Sequence, residues 1–402
     1  MSLALLFGIG GASCFNLSTG MGDKKRAGYY AGNSLTLLAV CGVILMAVTL
    51  VFLTPMLKLF GSTDNVLPYA EDYVRVTAFG FPFLLISAGG GHLVRADGSP
   101  QVTMLLNLVG AVVNIVLDAL FVLVFEWGMA GAAAATVIGQ VVSAVMVIVY
   151  AFKFKTVTLE KKHFIPQKVH LNRVVAIGMA SCFNQIAIGI VQVVLNNSLK
   201  HYGELSSYGA DDPIAVAGII MKVNMIVFSI VIGLAQGTQP IESFNYGARN
   251  FSRVREAYRL AVIAGGGISI LAFVLFQIFP KEILMIFGKG SDSYYEFGVK
   301  FFRIFLFFTW INCLQPITST FFTSIGKSIK GVFLSLTRQI IFFVPILLIL
   351  PLIFGINGIL YTGPIADVLS AVFAIIMAAY EFKAMKKLES EIKKSPDFGE
   401  NS

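Results

Sequence analysis

Apolar stretches of about 18 to 26 residues recur along the whole chain, broken by short polar connections. Each is about the length a helix needs to cross ~30 Å of hydrocarbon. They fall near 1–20, 29–54, 73–95, 101–125, 129–152, 174–199, 214–239, 257–279, 297–322, 331–354 and 358–382. The pattern predicts eleven membrane-spanning helices, and so an all-α integral membrane fold.

The pattern also repeats. Gly8 and Gly22 recur 225 residues later as Gly233 and Gly247, and Phe60-Gly61 recurs 227 residues later as Phe287-Gly288. Gly98 recurs as Gly326 at an offset of 228, and the pair Gly128/Gly131 recurs as Gly355/Gly358 at 227. Small loop insertions account for the drift. The apolar segment 174–199 precedes the Gly233 region, and its counterpart in the first copy would fall about fifty positions before Met1. The expectation is therefore two pseudo-symmetric helical lobes, five helices plus six, with twelve in a complete pair. A late start or a fragment is the simplest account of the missing helix, and upstream sequence is expected to encode it. Six helices per repeat return the chain to its starting side, so the repeats are expected to run parallel through the membrane. The segments sort into an amino-terminal lobe (1–152), a cytoplasmic linker (153–173), a carboxy-terminal lobe (174–383) and a cytoplasmic tail (384–402). Two similar lobes in one membrane chain point to a transporter.

Composition fits this picture: 56% of residues are hydrophobic and only 13% charged, which no soluble domain of this size resembles. One set of connections carries Lys24, Lys25, Arg26, Arg95, the lysines between Lys153 and Arg173, then Arg249 to Arg259, Lys327, Lys330 and the tail after Lys383. The alternate set holds only Lys58, Lys200, Lys281 and Lys289. The basic set is expected on the cytoplasmic side of the cell membrane. A lipid-facing belt then accounts for the net charge of +8 without nucleic acid. Segment 1–20 has no basic leader or cleavage pattern and does not read as a signal peptide.

Cys14, Cys41, Cys182 and Cys313 lie in apolar stretches without C-x-x-C spacing, and the four histidines are scattered. Neither suggests a metal centre or disulfide. No Walker-type phosphate loop or nucleophile elbow occurs, so neither an ATPase nor a hydrolase is legible. An enzyme reading is weak, because no catalytic set lines up at one depth.

Candidate chemistry then rests on polar groups within the apolar spans, where each is costly. Asn114 and Asp118 lie one turn apart on a helix face. Thr136, about two turns into the next helix, falls at similar depth. Carboxylate, amide and hydroxyl oxygens at one depth suit a proton or Na⁺. Gln140 neighbours Thr136 on the same face. In the second half, Lys222 and Asp367 each lie about nine residues into a span, at a depth that predicts a buried pair and, with Glu242, a candidate substrate or ion site of the carboxy-terminal lobe. Glu242 lies near an inner helix end beside Pro240 and reads equally as a site or a solvated end. Arg75 and Arg303 hold matching positions near outer helix starts and read as structural. The 35 Phe and 13 Tyr suit a cavity for flat cations, although lipid-facing and packing roles account for most of them.

The run Arg95-Ala96-Asp97-Gly98-Ser99-Pro100, then Asn114-x-x-x-Asp118, then Gly128-x-x-Gly131-Ala132-Ala133-Ala134-Ala135-Thr136 with Gln140, resembles the MATE (multidrug and toxic compound extrusion) family. Gln239-Pro240 with Asn245-Tyr246-Gly247-Ala248 fits the second half, and Pro364-Ile365-Ala366-Asp367 resembles the bacterial MepA-like branch. The resemblance covers essentially the whole chain. It implies a twelve-helix, cofactor-free transporter, expected to act as a monomer, that exports organic cations or other amphipathic drugs in exchange for H⁺ or Na⁺. It implies an ion site at Asn114, Asp118 and Thr136, completed by an acidic residue on a first helix that this chain lacks. A flippase for lipid-linked precursors, from a related two-lobed superfamily, is the alternative; a cationic cavity would favour it.

Overall fold

A computed structural model describes residues 1–59, 67–209, 211–288 and 290–394. The Phe60-Gly61 half of one repeat pair, Lys289 and the last eight residues lie outside them. Among the described residues, eleven helices are long and apolar enough to cross a membrane. Most run past the apolar stretches at one end or both, because polar flanks continue a helix once its core is set. The clearest case is α7 below, which spans Lys168–Glu204 where hydrophobicity alone marks 174–199.

The chain forms two compact units, residues 1–182 and 183–402. The first holds α1 (Ser2–Gly20), α2 (Lys24–Val51), the short α3 (Leu53–Leu59), α4 (Leu67–Ala96), α5 (Pro100–Asp118), α6 (Gly128–Ala151) and the start of α7 (Lys168–Glu204). Helices in lipid gain little from burying apolar side chains, so they associate where small residues let backbones approach. A methyl group on Gly139 of α6 would lie 2.7 Å from the Gly110 carbonyl oxygen and 3.1 Å from Asn114 Cβ of α5. One turn on, the Ser143 hydroxyl donates to the Leu106 carbonyl at 2.8 Å. This contact sets the distance between the two helices that carry Asn114, Asp118 and Thr136. Gly10 of α1 and Gly178 of α7 make a second close crossing: Cβ atoms there would lie 2.2 Å from the Val174 oxygen and 1.8 Å from the Leu6 oxygen.

Asp97, from the family motif, is a tie rather than a site residue. It accepts from the Tyr150 hydroxyl (2.8 Å) and from the amides of Lys155 (2.6 Å) and Thr156 (2.9 Å), joining the α4–α5 turn to the chain leaving α6. The connection that follows docks on α2. Asn33 donates to the carbonyls of His163 (2.8 Å) and Ile165 (3.2 Å) and accepts from the Gln167 amide (2.8 Å). The buried His163 ring sits beside Gly28, and its Nδ1 accepts from the Glu160 amide at 3.0 Å.

The second unit holds the rest of α7, then α8 (Asp211–Gly247), α9 (Phe251–Ile278), α10 (Pro280–Ile286), α11 (Asp292–Phe305), α12 (Leu314–Ser324), α13 (Ser328–Leu336), α14 (Val344–Phe354) and α15 (Ile356–Lys394). Its largest fully buried side chains are phenylalanines, among them Phe297, Phe301, Phe302, Phe305 and Phe343.

The repeat is visible in the turns of each unit. Gly98 and Gly326 have φ of 80° and 77°, and Gly128 and Gly355 have φ of 56° and 57°. Gly22 has φ 81° and its match is Arg249 at 59°, so the turn pairs Gly22 with Arg249 and not with Gly247. The residues that follow, Asp23 and Asn250, cap their helices in the same way, accepting from the amides of Arg26 (2.9 Å) and Arg253 (3.4 Å). Turn and cap share the offset of 227 that the later repeat pairs show.

Two outcomes follow. Gly139→Val forces α5 and α6 apart and is expected to cost about 1–3 kcal/mol, the usual range for overpacking. Gly237→Val, where a Cβ would meet nothing within 4 Å, should cost far less. Thermal midpoints in detergent give the comparison. Burial holds the His163 imidazole below its usual value, against the opposing pull of Glu160. The stability due to the neutral docked ring is therefore complete above about pH 6.5 and is lost as pH falls below that toward the lowered native value. Hydrogen exchange at residues 163–167, corrected for intrinsic rate, should be faster at pH 5 than at pH 7.5, and His163→Gln should remove the difference.

Candidate ion and substrate sites

Asp118 ends α5, and the next turn, Ala119–Val124, widens to π geometry. Such turns interrupt helices most often where a side chain must be re-aimed. The Asn114 amide nitrogen donates to Asp118 Oδ2 at 3.2 Å and to Thr136 Oγ1 at 3.4 Å. Thr136 donates its own proton to the Ala132 carbonyl at 3.0 Å, so its oxygen offers only lone pairs to the cluster. Asn114, Asp118 and Thr136 thus meet as the sequence predicts. Asp118 Oδ1 is buried with no hydrogen-bond partner, and no described lysine, arginine or histidine pairs with this carboxylate. Gln140 lies one turn beyond Thr136. Its Oε1 is also buried and unpartnered, in the space a Cβ on Gly80 would enter, 2.6 Å away.

The donor set defines what the cluster can hold. Asn114 presents its nitrogen, not its oxygen, to the other two groups. That leaves one carboxylate oxygen, Oδ1, without a donor. A small cation such as Na⁺ would need several oxygens at once, as hard cations do.

In the second unit the expected Lys222–Asp367 pair does not form: no hydrogen bond or ion pair joins them. Asp367 on α15 is 2% exposed, and its Oδ1 accepts from Arg338 Nε at 2.6 Å. Arg338 lies in a second π turn, Thr337–Phe343, between α13 and α14. Equal depth was a poor guide, since it does not say which way a side chain faces. Arg338 is the buried charge that the sequence reading missed, although an arginine seven residues into the apolar stretch at 331–354 was itself a signal.

Lys222 instead lines a cavity of about 430 Å³ in the second unit, with Arg338 and Gln339 on its wall. Asp367 does not reach that wall. Glu242 on α8 stands apart from both. It is 1% exposed, and neither carboxylate oxygen has a hydrogen-bond partner, which removes the solvated-end reading. Arg75 and Arg303 are exposed. All four cysteines are unpaired, and among the described residues no group of three or more His, Cys, Asp or Glu converges.

A helical chain with eleven apolar spans and charges buried among them is a multi-pass membrane protein. The chain belongs to the MATE family: the family model described as MatE matches residues 1–120 and 180–349. It is 24% identical over 378 residues to the multidrug export protein MepA of Staphylococcus aureus strain MSSA476, covering 94% of this chain and 82% of that protein. The Staphylococcus haemolyticus MepA is 22% identical over the same length. Among solved structures, MATE in the bent conformation superposes with a TM-score of 0.89 at 23% identity, over 97% of this chain and 86% of that one. A MOP superfamily transporter from Pyrococcus furiosus Vc1, described as having a binding pocket whose reverse polarity suggests a different function, has a TM-score of 0.88 at 23% identity, over 96% and 85%.

The Arg338–Asp367 pair gives a test. Removing one partner of a buried pair leaves an uncompensated charge and costs about 3–5 kcal/mol, whereas replacing both with apolar groups is often neutral. Asp367→Leu is therefore expected to reduce the folded fraction sharply, and Arg338→Met/Asp367→Leu to restore it. The monodisperse peak in detergent gel filtration measures both.

Proposed function

We propose that this transporter is a secondary exporter of amphipathic drugs, organic cations among them, driven by protons that enter through Asp118. The carrying observation is the Asp118 carboxylate, held by Asn114 in a membrane span with one oxygen unpartnered and no cation beside it. A charge so placed is unfavourable in hydrocarbon, and protonation relieves it. The carboxylate then has two states of different charge, which Asn114 senses through a direct hydrogen bond and Thr136 through Asn114. That is the requirement for coupling: ion binding must favour one conformation over another. The drug character of the cargo rests on family membership and on the multidrug export relatives. Na⁺ is the other coupling ion, and the donor arrangement at Asn114 gives it less support. A flippase for lipid-linked precursors is the second reading, favoured by one observation, the unpaired Lys222 on a cavity wall.

Proteoliposomes with an imposed gradient test the proposal. A pH gradient is expected to drive accumulation of a cationic dye, and a Na⁺ gradient at constant pH is not. Asp118→Asn removes the titratable charge at nearly constant shape, and uptake should fall at least a hundredfold at matched insertion. Full uptake by this variant refutes the role of Asp118.

A further inference from the structure

The cavity beside Lys222 has a polarity that organic cations do not explain. Lys222 lies eleven residues into α8, about 16 Å along its axis, within the long apolar helix rather than at its end. It is exposed to the cavity and makes no hydrogen bond or ion pair with any described residue. Arg338 is the second cation on the wall, and its counter-charge Asp367 is 2% exposed and sits behind it. Among the described lining residues there is no carboxylate. The remaining polar lining consists of neutral amides such as Asn224 and Gln339, and rings such as Phe228 and Phe305 supply apolar faces. The volume of about 430 Å³ lies in the range of drug-sized pockets.

We infer that the second-unit cavity binds the anionic end of amphipathic substrates, an aromatic carboxylate whose oxygens sit on Lys222 and whose ring lies among the phenylalanines. Lys222 stands exposed on the cavity wall with no acidic side chain among the described lining residues, so an anionic ligand there meets a cation and no competing carboxylate. The ligand's carboxylate meets Lys222 through a charge-assisted hydrogen bond, while the Arg338–Asp367 pair stays intact and keeps the neighbouring wall neutral. Zwitterionic drugs then have a place for each end: a positive group that tolerates the rest of the pathway and a negative one held here. The inference rests on the exporter reading for the direction of travel, but binding at Lys222 does not depend on it.

The experiment is a binding titration on the purified full chain in detergent, by calorimetry, with 2-naphthoate and its cationic analogue 2-naphthyltrimethylammonium. Wild type should prefer the carboxylate. Lys222→Met should lower the carboxylate-to-cation affinity ratio at least tenfold, and Lys222→Arg should keep it within about threefold. An unchanged ratio in Lys222→Met, or a wild type that prefers the cation, overturns the inference. Displacement of 2-naphthoate by dodecyl phosphate at tenfold lower concentration than unlabelled 2-naphthoate also overturns it, and gives the cavity to a lipid phosphate. Because no gradient is involved, failure here is distinct from failure of proton-driven export, which the proteoliposome assay reads separately.

Discussion

A charge carried into hydrocarbon must be neutralised, paired or wetted, and this chain uses all three solutions. Asp118 and Glu242 have no cation partner among the described residues, and each keeps buried carboxylate oxygen without a hydrogen bond. Arg338 and Asp367 are paired side to side in the second unit. Glu381, 1% exposed, is paired twice, by Lys327 and by Lys330 at 2.8 Å. Lys222 is neither neutralised nor paired, and it lines the cavity. The distribution is not arbitrary. Paired charges hold helices together and cannot change state cheaply, whereas unpaired acids and an unpaired base are free to exchange a proton or a ligand.

The helix contacts place these charges. Without a hydrophobic drive between spans, the α5–α6 and α1–α7 contacts depend on backbones that touch at Gly110, Gly139, Gly10 and Gly178. The first of these contacts lies one turn from Asn114 and Thr136. The distance between helices is therefore set by the same backbone approach that lets an amide reach both a carboxylate and a hydroxyl.

Much of this was legible in the sequence. Span number followed from apolar length alone, and Asn114, Asp118 and Thr136 followed from an i, i+4 spacing and a depth count. What failed did so for physical reasons. Depth placed Lys222 and Asp367 at one level but carried no information on facing, and they look to different surroundings. Arg338 was hidden because its partner lies 29 residues on, across a turn. Glycine matching set the first repeat pair by residue identity, whereas backbone geometry matches Gly22 to an arginine that accepts the same left-handed turn.

The Arg338–Asp367 pair also constrains how the chain is made. Arg338 is synthesised first, and its counter-charge arrives 29 residues later, on α15. Until then the guanidinium has no acid beside it, and the span that carries it is a poor candidate for lateral release into lipid by itself. If the two spans partition together, as a hairpin around Gly355, the pair forms before either charge meets lipid alone.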